Sequence, residues 1–266
     1  MCIICYKPEG AVVPPRGILE NCFYSNPDGA GYAIWRKNDN FVTYKKGFFS
    51  FEELYGDFMA ESVALEDRAA LHFRIATHGA VIAGNCHPFP VSADVGTLQS
   101  SEGFCKSVLF HNGILGAKYA KRKDFSDTMA FTIGLAKKES SLIKSGKLLN
   151  FIEKETEGSR ILYFNARENS IIKSGNCVHD KETGCYFSNY SFDYYDVSPY
   201  FGKYYTGLTP VCPQCGGAVT HISTINDIWE CQECGALCDS DGEEMELYTI
   251  ESSLKNYYRN NWGGDV

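Results

Sequence analysis

The 266-residue chain carries 25 Lys and Arg against 33 Asp and Glu, for a net charge of −8. That balance removes any global electrostatic reason to bind nucleic acid or an anionic membrane, and 44% hydrophobic with 22% charged residues excludes a disordered chain. No run approaches the roughly 20 apolar residues that span a bilayer, and the start, MCIICYKPEG, lacks the layout of a signal peptide, so a cytoplasmic protein of one or two domains without membrane contact is expected.

In chain order, Met1-Cys2 comes first. Removal of the initiator Met, expected before a small residue, leaves Cys2 with a thiol and a free α-amine on one residue. An α-amine titrates near ~7.7–8.0 and a thiol near ~8.5, so the amine can take the thiol's proton and act as its base. The plainer reading is a buried first-strand thiol. Residues 2–6 read as a short buried strand, broken by Pro14-Pro15. The turn Asn26-Pro27-Asp28-Gly29-Ala30-Gly31 feeds a strand over Tyr32–Trp35, with a hairpin partner near 41–45. Ser50 with Glu53 forms a capping box that opens a helix to about Ala60.

Arg68–Thr77 reads as a buried strand that ends in His78-Gly79, followed by a Pro-rich turn around His87. A short apolar strand over Ser107–Phe110 ends in His111-Asn112-Gly113. Ser126 or Asp127 caps a helix running to about Lys138, and a second helix is expected over Leu142–Glu155. Arg160–Phe164 and Ser170–Ser174 form a hairpin, and 185–189 a further strand. Near residue 192 the composition becomes Tyr-rich, the mark of an ordered linker to about residue 209.

Taken together, Cys2, the 26–31 turn, His72–Gly79, Asn85–Phe89, His111-Asn112-Gly113 and Ser126-Asp127-Thr128 form an ordered set that resembles the class II glutamine amidotransferase domain, an N-terminal-nucleophile hydrolase. The resemblance covers about residues 2–190 and implies a four-layer αββα sandwich in the α+β class. It also implies that Cys2 attacks the side-chain amide of glutamine, forms a glutamyl thioester and releases ammonia, with no cofactor needed for the hydrolysis. Asn112 and the Gly113 backbone N–H match the oxyanion donors, Arg74 the group that grips the α-carboxylate, and Asp127 the partner of the α-ammonium. Thr77, His78 and Gly79 lie in the same motif as Arg74 and would help hold that end, whereas His87 reads as structural. Each residue also has a plainer reading: Asn112-Gly113 a hairpin turn, Asp127 a helix cap, Arg74 with Asp127 a structural ion pair. Ile3 departs from the family, in which many members carry Gly after the nucleophile.

In a long chain whose first residues lack the layout of a signal peptide, twelve Cys are not expected to form a disulfide scaffold. Cys212 and Cys215, then fifteen residues, then Cys231 and Cys234 form two C-x2-C knuckles that supply four thiolates for a structural zinc. This resembles a zinc ribbon; Cys238 fits the spacing less well than Cys234, and a redox pair is the alternative. The insert 216–230 has no Lys or Arg, so protein docking or packing is favoured over nucleic acid, which stays open only through the ribbon. The expected organisation is therefore 2–191 amidotransferase-like domain, 192–209 linker, 210–240 ribbon, and 241–266 tail with a short helix near 250–258. With no Gly-rich phosphate loop in the chain, the expected partners are glutamine and a separate ammonia-accepting enzyme. Two rival functions remain: an N-terminal-nucleophile amidohydrolase acting on a γ-glutamyl or other small amide, and a non-catalytic scaffold working through the ribbon.

Overall fold

The computed structural model describes residues 2–76, 79–119 and 125–192, and in the C-terminal stretch residues 212, 214–215, 219–223, 228–231, 233–234 and 236–238. The chain divides into two compact units, Met1–Phe192 and Asp193–Val266.

The first unit begins with β1 (Ile3–Lys7), α1 (Arg16–Tyr24), β2 (Ala30–Trp35), β3 (Val42–Phe48), α2 (Phe51–Ala60), β4 (Arg68–Phe73), β5 (Phe89–Pro90) and α3 (Val95–Gln99). It continues with β6 (Glu102–Cys105), β7 (Ser107–Asn112), α4 (Asp127–Ala136), α5 (Glu139–Lys144) and α6 (Leu148–Glu155). It closes with β8 (Arg160–Asn165), β9 (Ser170–Ser174), β10 (Val178–His179) and β11 (Tyr186–Phe187). Seven strands form one sheet in the order β10-β11-β1-β4-β2-β3-β6, and four form another in the order β5-β7-β8-β9. Neighbours in both are antiparallel.

The apolar runs of the central strands are continuous because both faces are buried. In β1, Ile3 and Cys5 join a cluster with Leu19 and Phe23 of α1 and Phe51, Leu54 and Phe58 of α2. Ile4 and Tyr6, on the opposite face, join Val108, Phe110, Leu162 and Phe164 of β7 and β8. Successive β-strand side chains point to opposite faces, so Leu109, Ile161 and Tyr163 turn the other way and pack on Phe131, Leu135, Leu148 and Ile152 of α4 and α6. Side chains of β1 thus pack on α1 and α2 from one face and on β7 and β8 from the other.

Local chemistry explains where the elements start and stop. Ser50 caps α2, its hydroxyl accepting from Glu53 N, and Ser126 caps α4, accepting from Met129 N at 3.1 Å. Ser126 is therefore the cap, and Asp127 is the first helical residue. The single helix expected over 142–155 is two, α5 and α6, because Gly146 sits at φ +65 and turns the chain between them. Helix α1 was not anticipated from the Pro14-Pro15 break, although Leu19, Cys22 and Phe23 carry helical spacing onto the core. Among the described residues no helix is long and apolar enough to cross a membrane.

In the second unit, β12 (Val219–Ser223), β13 (Ile228–Cys231) and β14 (Leu237–Cys238) form a three-stranded antiparallel sheet. The linker beyond Phe192 and the tail helix near 250–258 lie outside the described residues.

Phe164 rests against Tyr6, Trp35 and Phe110, with ring centroids 5.6–6.2 Å apart. Phe164→Ala removes a fully buried ring from the seam between the sheets, and chemical denaturation should show a loss of about 3–5 kcal/mol.

Candidate functional site

Cys2, Arg74 and Asn112 lie at the ends of β1, β4 and β7. Pairing of Ile3 with Phe73 brings Cys2, just before β1, alongside the segment that follows β4. The half-buried Cys2 thiol lies on the Ile75 peptide, with Ile75 N–H donating to Sγ at 3.3 Å and Sγ 3.4 Å from Ile75 O. Burial raises the thiol's pKa, and the Ile75 N–H and the nearby Arg74 charge pull in the opposite direction. The Cys2 carbonyl accepts from Asn189 Nδ2 at 2.7 Å.

Arg74 is buried, and its guanidinium donates to Ala80 O at 3.2 Å and Gly79 O at 3.4 Å. These carbonyls belong to the loop that turns back at Gly79, which has φ +77. The loop is tied at its start by Asp28, whose Oδ2 accepts from Ala76 N at 2.8 Å, and the 26–31 turn and β4 are stitched by Asp28 N to Arg74 O at 2.9 Å. Thr77 and His78 lie outside the described residues.

Asn112, fully buried at the end of β7, donates through Nδ2 to Ser188 Oγ at 2.8 Å, while its Oδ1 has no partner among the described residues. Gly113 follows at φ +155, and a Cβ there would stand 2.3 Å from Ser159 Oγ. Only glycine fits this approach, which turns the backbone away from β7. Asp127 is buried; its Oδ2 accepts from Leu115 N at 2.8 Å and its Oδ1 from Thr128 N at 2.7 Å. The carboxylate thus anchors the turn after Gly113 to the first turn of α4, where the helix dipole favours negative charge.

Beneath these groups lies a histidine network. His72 Nε2–H donates to His111 O at 3.0 Å, which leaves Nδ1 as the bare nitrogen. His111 bonds Thr128 Oγ1 at 2.8 Å and Ser159 Oγ at 3.0 Å through its two ring nitrogens. His87 stacks on His72 with centroids 4.1 Å apart, and neither of its nitrogens has a partner among the described residues. Burial lowers His72 to about 3 and His111 to about 4, and drives His87 well below its ordinary value.

The structure therefore brings Cys2, Arg74 and Gly79 together through the 74–80 segment, and Asn112, Gly113 and Asp127 together through the 111–128 segment. Ser188, Asn189 and Ser159 carry the connecting bonds and were not singled out from the sequence. They sit in no motif, and only the tertiary contacts reveal them.

In the second unit the Sγ atoms of Cys212, Cys215, Cys231 and Cys234 all lie within 4.8 Å of one another, a donor set that can hold one metal ion. Cys212 and Cys234 sulfurs are 3.5 Å apart, as are those of Cys215 and Cys231. A tetrahedron of sulfurs at ~2.3 Å from a metal has edges of about 3.8 Å, so the group fits. Backbone N–H groups of Cys234 and Glu233 hold the Cys231 thiol down to about 6, which favours a thiolate at that position, while the neighbouring Cys234 thiol is shifted upward.

Among solved structures, the chain is similar to glutamine phosphoribosylpyrophosphate (PRPP) amidotransferase from B. subtilis, complexed with ADP and GMP, at 15% identity and a TM-score of 0.45, over 72% of this chain and 42% of that one. It is also similar to an allosteric regulatory enzyme of purine biosynthesis, at 16% identity and a TM-score of 0.42, over 70% of this chain and 41% of that one. The chain thus spans less than half the length of either protein. No family model matches it, and no curated protein does. At that degree of likeness the chemistry rests on the side chains described above.

The neutral histidines set a pH dependence. Unfolded, each ring takes a proton near ~6.5, whereas the folded His72 and His111 do so only near about 3 and about 4. Between those limits the unfolded chain holds more protons, so stability is full above pH ~6.5 and falls as pH drops. Urea unfolding followed from pH 7 to pH 5 should weaken by up to roughly 1.4 kcal/mol per pH unit per histidine, with a shallower slope for His72→Gln.

Proposed function

We propose that the first unit is a glutamine-hydrolysing amidotransferase with Cys2 as its N-terminal nucleophile, exposed by removal of Met1. The observation that carries this reading is a half-buried Cys2 thiol on the Ile75 peptide, one residue after the buried Arg74, with the buried Asn112 carboxamide tied through Ser188 Oγ to Ile4, two residues after Cys2. In this reading the α-amine of Cys2 takes the thiol proton and the thiolate attacks the γ-carbonyl of glutamine. The negative charge that develops on oxygen is met by Asn112 Nδ2 and Gly113 N–H. Collapse of the tetrahedral intermediate breaks the C–N bond, and the amine's proton leaves with ammonia. Water then attacks the thioester, giving glutamate and restoring the thiol.

Arg74 would meet the α-carboxylate of glutamine, exchanging its bonds to Gly79 O and Ala80 O for a bidentate pair. Asp127 would meet the α-ammonium, with Thr77, His78 and Gly79 helping to hold the Arg74 end. The three apolar clusters support a four-layer αββα sandwich around this site. Ammonia would pass to a separate acceptor enzyme.

For the second unit we propose a zinc ribbon over 210–240. The sulfur separations favour it. Four thiolates complete a tetrahedral shell, so the ion would hold the knuckles together and leave no open position for catalysis. Elemental analysis should find one zinc per chain, falling to near zero in Cys215→Ser/Cys231→Ser; full zinc retention in that variant would move the ligands elsewhere.

The function is tested by intact mass before and after treatment with a diazo-ketone analogue of glutamine. The expected result is a chain lacking Met1 that gains one adduct mapping to Cys2, blocked by excess glutamine. A folded chain that retains Met1 or stays unlabelled overturns the nucleophile assignment.

A further inference from the structure

Ser188 and Asn189, which follow β11, contact both halves of the proposed machinery. Ser188 Oγ accepts from Asn112 Nδ2 at 2.8 Å and from Ile4 N at 2.8 Å, while Ser188 N donates to Ile4 O at 3.0 Å. Asn112 ends a strand of the four-stranded sheet and Ile4 belongs to the seven-stranded one, so one hydroxyl oxygen joins the two sheets at the site. The next residue, Asn189, donates from Nδ2 to the Cys2 carbonyl at 2.7 Å. Its own amide is oriented from behind, because Oδ1 accepts from Ser191 N at 3.0 Å and Ser191 Oγ at 2.6 Å.

We infer that Ser188 and Asn189 are positioning residues that set the oxyanion donor and the nucleophile against each other. This rests on the reading of Cys2 and Asn112 given above. A terminal amide torsion is broad, so a buried Asn with one unpartnered end does not choose its rotation without a second bond. Ser188 Oγ takes one Nδ2 hydrogen of Asn112 and thereby aims the other, which has no acceptor among the described residues. An oxyanion donor is effective only when it is already aimed before charge develops. Asn189 does the same for the nucleophile: it holds the Cys2 carbonyl and so sets the direction in which the residue's thiol and amine project. Because the two residues are consecutive, a single peptide unit links the bond that aims the donor to the bond that holds Cys2.

A purely structural role for Ser188, stitching β11 to β1, is separated from this by comparing Ser188→Thr with Ser188→Val. The two carry the same added bulk at a buried position and differ only in the oxygen. The expected result is a kcat for glutamine hydrolysis about tenfold or more lower in Ser188→Val than in Ser188→Thr, with KM unchanged. Equal kcat in the two overturns the inference while wild-type glutaminase activity leaves the functional reading standing. Should both fail to fold, Asn189→Asp serves: it keeps the acceptor toward Ser191 and removes the donor toward Cys2, and an undiminished kcat overturns the inference. Wild-type protein that releases no glutamate sinks the glutaminase reading instead. Positioning is then read from the Asn112 side-chain amide resonances, assigned by their loss in Asn112→Asp: they shift between the Thr and Val variants if Ser188 Oγ holds them, and coincide if it does not.

Discussion

The antiparallel register of β1 against β4 is the constraint on which the rest of the first unit depends. Five consecutive pairs, from Ile3 with Phe73 to Lys7 with Ala69, hold a five-residue strand between β11 and β4. Both faces of β1 are committed, one to the helices α1 and α2 and the other to β7 and β8. A slip of one residue would exchange the two faces and put Ile4 and Tyr6 among the helices. The register also decides where the chain's start lies: Cys2 can reach Ile75 and Asn189 only because Ile3 faces Phe73.

A second constraint is the burial of polar groups under the site. His72, His111, Thr128 and Ser159 are bonded in a chain across β4, β7, α4 and the residue before β8, with His72 Nδ1 left over. Such a network rigidifies what stands on it, since an unpaired buried polar group costs free energy and a broken bond has no water to replace it. Ser159 shows the economy of the arrangement: it bonds His111 and occupies the space that a side chain at residue 113 would need. The backbone at Gly113 is thus shaped by the same residue that holds the neighbouring ring.

The second unit follows a different rule. Its Cys pairs lie in local turns, and β12 and β13 pair with Val219 opposite Cys231, so one of the four clustered cysteines sits within the sheet itself. Small units bury too little apolar surface to be secure alone, and four converging sulfurs are a means of closing one without a large core.

Much of this was legible in the sequence, and the reasons are local. Hydrophobic runs and turn residues mark β1, β2, β4, β7, β8 and β9, because a strand buried on both faces needs a continuous apolar run and a hairpin needs its turn chemistry. The Ser50 and Ser126 caps and the paired C-x2-C knuckles are short-range patterns that carry their own geometry. Cys2, Arg74, Asn112, Gly113 and Asp127 were singled out from the order of motifs. Helix α1 and the break at Gly146 escaped, since weak amphipathic stretches do not reveal their boundaries until packing selects them. Ser188 and Asn189 escaped for a stronger reason: their partners are 76 and 187 residues away, Asn112 and Cys2. Which side chains share a hydrogen bond across such separations is decided by sheet order and register, and those are properties of the folded chain alone.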